Sequence, residues 1–131
     1  MTQRTILLAD DEPHITHIVA HKLNKIGINV LIAEDGEIAY QMAVEHKPDA
    51  IVTDLQMPYM SGIELADKLN RNAELSKIPI ILLSARGYAI ADQTDEYPNI
   101  RHVLSKPFST RDLIQQLISL MDEDENRKAS A

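Results

Sequence analysis

The sequence predicts an α/β protein, a doubly wound five-stranded parallel sheet with helices on both faces. Two observations lead there. Five short apolar runs, Thr5 to Ala9, Ile28 to Ala33, Ala50 to Thr53, Ile78 to Leu83 and His102 to Leu104, lack the polar alternation of half-exposed strands, as strands buried on both faces do. The segments between them carry apolar residues at three- and four-residue spacing, so strand and helix alternate and a βα unit repeats five times. Sites in such open sheets lie beyond the carboxyl ends of the strands, at the switch point. Asp10, Asp11, Asp54, Ser84 and Lys106 each fall at such an end.

Each helix has its own signals. Ile15, Ile18, Val19, Leu23 and Ile26 form the stripe of the first, and Gly27 reads as its C-cap. Asp35 is placed to N-cap a second helix carrying Ile38, Ala39, Met42 and Ala43, which Pro48 ends. Ser61-Gly62-Ile63-Glu64 has the capping-box form and opens a third through Leu65, Ala66 and Leu69. A fourth is expected between Ala85 and Asn99, where Tyr88, Ala89, Ile90, Ala91 and Tyr97 supply apolar surface, although Gly87 and Pro98 blur its ends. Ser109-Thr110-Arg111-Asp112 opens the last, through Leu113, Leu117 and Leu120. Asp122 to Ala131 has no apolar stripe and reads as a frayed polar tail or linker stub, so one domain is expected over residues 1–121 and a tail over 122–131.

With 131 residues, 44% hydrophobic and 25% charged, the chain has the size and composition of one soluble globular domain. A net charge of −7 makes direct nucleic-acid binding a poor expectation, because phosphate backbones call for a basic face. The absence of cysteine rules out disulfides and thiolate metal sites and fits a reducing compartment, with the cytoplasm expected. Met1-Thr2-Gln3-Arg4 leads into an apolar stretch that Asp10 stops too early for a signal peptide or a membrane span.

The strand-end aspartates carry the chemistry. If the runs ending at Asp10-Asp11 and Asp54 are neighbouring parallel strands, three carboxylates converge and repel one another. They need a cation, a shared proton or a positive side chain. Two unit charges about 4 Å apart interact by roughly 4 kcal/mol at an effective dielectric of ~20. Singly, each residue has a plainer reading: a strand-end aspartate is usually a cap, Asp10 and Asp11 suit the start of a helix, and Lys106 suits a surface turn. His14, His17 and His21 lie on one face of the first helix, where a solvated stripe is the simpler reading than a metal face.

Ile6-Leu7-Leu8-Ala9-Asp10-Asp11-Glu12-Pro13, Val52-Thr53-Asp54-Leu55-Gln56-Met57-Pro58, Ser84-Ala85 and Lys106-Pro107-Phe108, taken in order, closely resemble the receiver domain of two-component response regulators, of the chemotaxis-type single-domain form. The resemblance covers residues 4 to 121 and implies the flavodoxin-like (βα)5 receiver fold. It implies that Asp54 is the phosphoacceptor. Asp11, and Asp10 directly or through water, would hold a divalent cation with Asp54 and the backbone carbonyl of Gln56; Mg²⁺ is the natural choice, since an all-oxygen site that keeps water in its shell suits a hard ion, with Mn²⁺ as the alternative. Lys106 would contact the acceptor or its phosphoryl oxygens, with Pro107 after a cis bond, and the Ser84 hydroxyl would donate to the phosphoryl group. Implied partners are a sensor histidine kinase or a histidine phosphotransfer protein, and a downstream protein docking on the face of the fourth helix, fifth strand and fifth helix. The expected state is a monomer, with dimerisation on phosphorylation as the variant. The resemblance implies a phosphoacceptor signalling protein rather than an enzyme, one that promotes only the phosphorylation and dephosphorylation of its own Asp54.

Some positions depart from the family's pattern. Val103 stands where an aromatic usually turns inward, leaving His102 and Tyr88 as the nearby candidates for that role, and Asn99 stands where a glycine is common. Gln56 and Arg86, by contrast, match positions that in the family border the path of the hydrolytic water and tune self-dephosphorylation, and the resemblance implies that Arg86 slows it modestly. Two other functions share the architecture. One is a phosphate shuttle or sink between histidines. The other is a flavodoxin-like cofactor protein, against which Asp-Asp-Glu-Pro argues by repelling a flavin phosphate.

Overall fold

The computed structural model describes residues 3–85 and 91–130, with residues 91–93 and 127–130 described in their backbone only. Five parallel strands, β1 (Thr5–Ala9), β2 (Asn29–Ala33), β3 (Ala50–Asp54), β4 (Ile80–Ser84) and β5 (Ile100–Ser105), form one sheet in the order β2-β1-β3-β4-β5. The chain runs outward from β1 to β2 and returns to β3 on the other side of β1. The switch point therefore lies between the carboxyl ends of β1 and β3, where Ala9 pairs with Thr53.

Burial follows strand position. The interior strands β3 and β4 are buried throughout and β1 nearly so, while the edge strands β2 and β5 are largely half-buried or exposed. Alternate residues feed two cores. Ile6, Leu8, Val52 and Leu83 pack with Val19, Leu23, Leu113 and Leu117 on one face; Leu7, Ile51 and Ile80 pack with Ala39, Ala43, Leu65 and Leu69 on the other.

The helices are α1 (Pro13–Lys25), α2 (Gly36–His46), α3 (Gly62–Asn70) and α4 (Thr110–Ser130). Gly27 takes φ +86, and the N–H groups of Gly27 and Ile28 donate to the carbonyls of Asn24 and Leu23, closing α1 in a Schellman motif. Asp35 accepts the Ile38 N–H at 2.9 Å, Ser61 and Glu64 form the capping box, and Ser109 accepts the Asp112 N–H at 3.3 Å. Each expected N-terminal cap is present.

Three expectations change. The fourth helix was expected between Ala85 and Asn99; residues 86–90 lie outside the described residues, and Ala91–Glu96 forms a 3-10 segment. Strand β5 extends from Ile100 to Ser105 rather than His102 to Leu104, because Arg101 is an extra residue between the pairs Ile80–Ile100 and Ile81–His102, which breaks the apolar run. The polar residues after Met121 continue α4 through Ser130 instead of fraying. Arg4 reaches Asp122 at 2.7 Å and Glu125 at 2.8 Å, and Arg101 reaches Glu123 at 3.2 Å. These side chains supply the tertiary contacts that an apolar stripe lacks there. No helix among the described residues is long and apolar enough to cross a membrane.

Candidate functional site

Strand ends bring the predicted residues together. Asp10 follows β1, Asp54 ends β3, Ser84 ends β4, and Lys106 follows β5. Parallel pairing in register places these ends side by side, and the Lys106 N–H donates to the Ser84 carbonyl at 2.9 Å. A cleft of about 540 Å³ opens there, lined by Asp11, Glu12, Asp54, Leu55, Gln56, Ser84, Ala85 and Lys106.

The Lys106 ammonium is the electrostatic centre. Its Nζ lies 3.2 Å from Asp54 Oδ1, 3.6 Å from Glu12 Oε1 and 3.9 Å from Asp10 Oδ2. Asp10 and Asp54 are only 4% and 7% exposed, and burial pushes both carboxyls above the ordinary carboxylate value while the Lys106 charge opposes the rise. Burial lowers the Lys106 ammonium, but the charges of Asp54 and Asp10 outweigh it and the net shift is upward. The Lys106–Pro107 peptide bond is cis, as expected.

One polar atom in the cluster lacks a hydrogen-bond partner. Asp10 Oδ1 accepts the Glu12 N–H at 3.0 Å, but the buried Oδ2 accepts no hydrogen bond. Carboxylate oxygens of Asp10, Asp11 and Glu12 lie within 4.8 Å of one another. Such an all-oxygen set, with an unsatisfied buried oxygen and a further carboxylate across the cleft, fits a hard divalent cation better than a soft one. Glu12 stood outside the predicted set. Its place beside Lys106 was legible only as the third acid of Asp-Asp-Glu.

Gln56 is exposed on the cleft wall, and Ser84 is buried at its floor. Val103 is half-buried on β5 opposite Leu82, and His102, one of the two candidates for the role of the inward-turning aromatic, is exposed while Asp54 is unmodified. Arg86 and Tyr88 lie outside the described residues. Asn99 is buried and joins β5 to α3, its Nδ2 donating to the Ala66 carbonyl at 2.9 Å. His14, His17 and His21 are all exposed along α1, in keeping with a solvated stripe.

The model of the response regulator receiver domain family matches residues 6–118. The phosphate regulon transcriptional regulatory protein PhoB of Pseudomonas aeruginosa is 36% identical over 127 residues, covering 92% of this chain and 53% of that protein. The histidine kinase P4 of Formosa agariphila is 30% identical over 125 residues, which are 95% of this chain and 9% of the kinase. The chain thus spans about half the length, or less, of the curated relatives it matches. Among solved structures, the receiver domain of the Francisella response regulator 1452 superposes with a TM-score of 0.82 at 30% identity, covering 93% of this chain and 99% of that one. The chemotaxis response regulator CheY4 of Vibrio cholerae gives 0.83 at 27% identity, covering 91% and 99%.

Proposed function

The chain belongs to the response regulator receiver domain family of two-component signalling, and from that membership we propose that Asp54 is its phosphoacceptor. The observation that carries this reading is the setting of Asp54: nearly buried, 3.2 Å from the Lys106 ammonium, on the wall of an open cleft. An Asp54 carboxylate oxygen attacks phosphorus, the bond from phosphorus to the donor's imidazole nitrogen breaks, and the electron pair leaves with the imidazole. The product is an acyl phosphate. Such a transfer asks for positioning and charge neutralisation more than for proton transfer.

Lys106 supplies one positive charge at the acceptor and holds it against its acidic neighbours. The Ser84 hydroxyl, at the end of the adjacent strand, is assigned to the phosphoryl oxygens once Asp54 is modified. Asp10, Asp11, Asp54 and the Gln56 carbonyl would hold Mg²⁺, which when bound supplies charge neutralisation for the incoming phosphoryl group. Glu12 joins this set through the Asp10 and Asp11 oxygens it accompanies.

The phosphodonor we assign is a phosphohistidine on a kinase or phosphotransfer protein. Receiver segments of the same family occur within histidine kinases such as the Formosa relative. The readout is assigned to the face containing β5 and α4, in the cytoplasm, and the only reaction promoted is on the chain's own aspartate. Incubation with acetyl phosphate and Mg²⁺ followed by intact mass tests the central claim. Wild type gains one phosphoryl group; Asp54→Ala and chelator-treated wild type gain none. A gain that persists in either refutes it.

A further inference from the structure

We propose that Gly62 is a positioning residue for the phosphoacceptor: α3 begins so close behind Asp54 that the missing side chain of its first residue sets where the Asp54 backbone stands. A Cβ at Gly62 would lie 2.5 Å from the Asp54 carbonyl oxygen, 3.2 Å from the Asp54 carbonyl carbon and 2.6 Å from Leu82 Cδ1. Real Cβ atoms do not approach a neighbour closer than 3.0 Å, so any side chain there forces a shift of at least about half an ångström.

The carbonyl cannot swing aside as a flexible side chain can. It belongs to the last residue of a strand buried along its whole length, and Thr53 Oγ1 donates to the same oxygen at 3.0 Å. The Gly62 N–H in turn donates to the Leu55 carbonyl at 2.8 Å, so α3 grips the chain on the residue that carries the carboxylate and on the one after it. A push on this carbonyl moves Asp54 relative to Lys106 and the acidic residues after β1, which hang on other strands. The same absence of a side chain recurs where α2 meets the far end of the loop: a Cβ at Gly36 would lie 2.6 Å from the Met60 carbonyl oxygen. The acceptor loop is thereby seated between two helix starts that only glycine allows to come so near.

The inference rests on the assignment of Asp54 as phosphoacceptor. Leu82→Val separates the two contacts of Gly62, because it removes Cδ1 and leaves the Asp54 carbonyl in place. Wild type, Leu82→Val, Gly62→Ala and Gly62→Ala/Leu82→Val are compared by thermal melting and by the rate of mass gain in acetyl phosphate with Mg²⁺. Since a misplacement of 1 Å costs about a hundredfold in rate, Gly62→Ala is expected to react about tenfold more slowly than wild type. The double variant is expected to regain melting temperature but not rate. A double variant that regains both, or a Gly62→Ala protein that reacts at the wild-type rate, overturns the proposal. Failure of both glycine variants to fold overturns it equally, by assigning Gly62 to core packing. A wild type that gains no mass refutes the reading of Asp54 instead, so the two failures are distinct.

Discussion

Replacing Lys106 with methionine keeps most of the side-chain length and removes the one ammonium that lies among Asp10, Glu12 and Asp54. With separations of 3.2 to 3.9 Å, each attraction is worth about 4 to 5 kcal/mol at an effective dielectric of 20. Desolvation of the lysine offsets much of this, and removing one partner of a buried ion pair typically loses about 3–5 kcal/mol. The cleft admits water, so the lower end applies, and metal-free Lys106→Met is expected to lose about 3 kcal/mol at pH 7.5. The pH dependence identifies the cause. Asp10 and Asp54 titrate above their unfolded values, so their contribution is fully present below the unfolded pKa and is lost as pH rises through the folded one. Without the lysine both folded values rise further, which makes the deficit relative to wild type largest at neutral pH and smaller as the carboxyls protonate. The raised Lys106 value itself matters only above the ordinary lysine pKa, where wild type loses the same contribution. Urea unfolding in chelator at pH 7.5 and pH 4 measures both ends. An equal deficit at the two pH values refutes the electrostatic account and assigns the lysine's effect to packing of its stem.

Asp10→Asn also breaks a contact with Lys106, but burial of the Asp10 charge outweighs that attraction and holds its carboxyl above the ordinary value, with Oδ2 accepting no hydrogen bond. The variant is therefore expected to stabilise the metal-free domain by about 1 kcal/mol at pH 7.5 in the same urea assay; destabilisation there would contradict it. Mg²⁺ at ten times its dissociation constant should raise wild-type stability by about 1.4 kcal/mol, and Asp11→Ala should show no such response in thermal melts. Asn99→Ala deletes the bond to the Ala66 carbonyl and should cost about 1–2 kcal/mol, read as a lower urea midpoint with unchanged slope. Arg4→Ala should cost less than about 1 kcal/mol globally, since its partners are solvent-exposed. It should nonetheless speed amide exchange in the last turns of α4, and unchanged exchange there would remove Arg4 as the tether.

Elements with a local cause were legible in the sequence. The glycine that ends α1, the aspartate that caps α2 and the capping box of α3 act within four residues of themselves, so a linear reading reaches them. The strand runs were legible for a different reason: double-sided burial removes polar alternation whatever the partner strand is. Where side chains far apart in sequence decide the outcome, the reading fell short. The extended end of α4 meets Arg4, some 118 residues away from Asp122 in sequence, whereas its composition alone suggests a tail. Likewise Arg101 interrupts an apolar run, and only pairing with β4 shows it to be the extra residue of a bulge.

The sequence by itself determined the α/β alternation and the acidic, hydroxyl and lysine residues at the strand ends, because periodicity and strand termini are properties of neighbouring residues. Tertiary structure decided what those residues are to one another. It put Lys106 nearest Asp54, drew Glu12 into the cluster, left Asp10 Oδ2 without a hydrogen bond, and set Gly62 against the Asp54 carbonyl. Each of these is a distance across strands or helices, and the distance decides both the strength of a charge interaction and the room for a carbon atom.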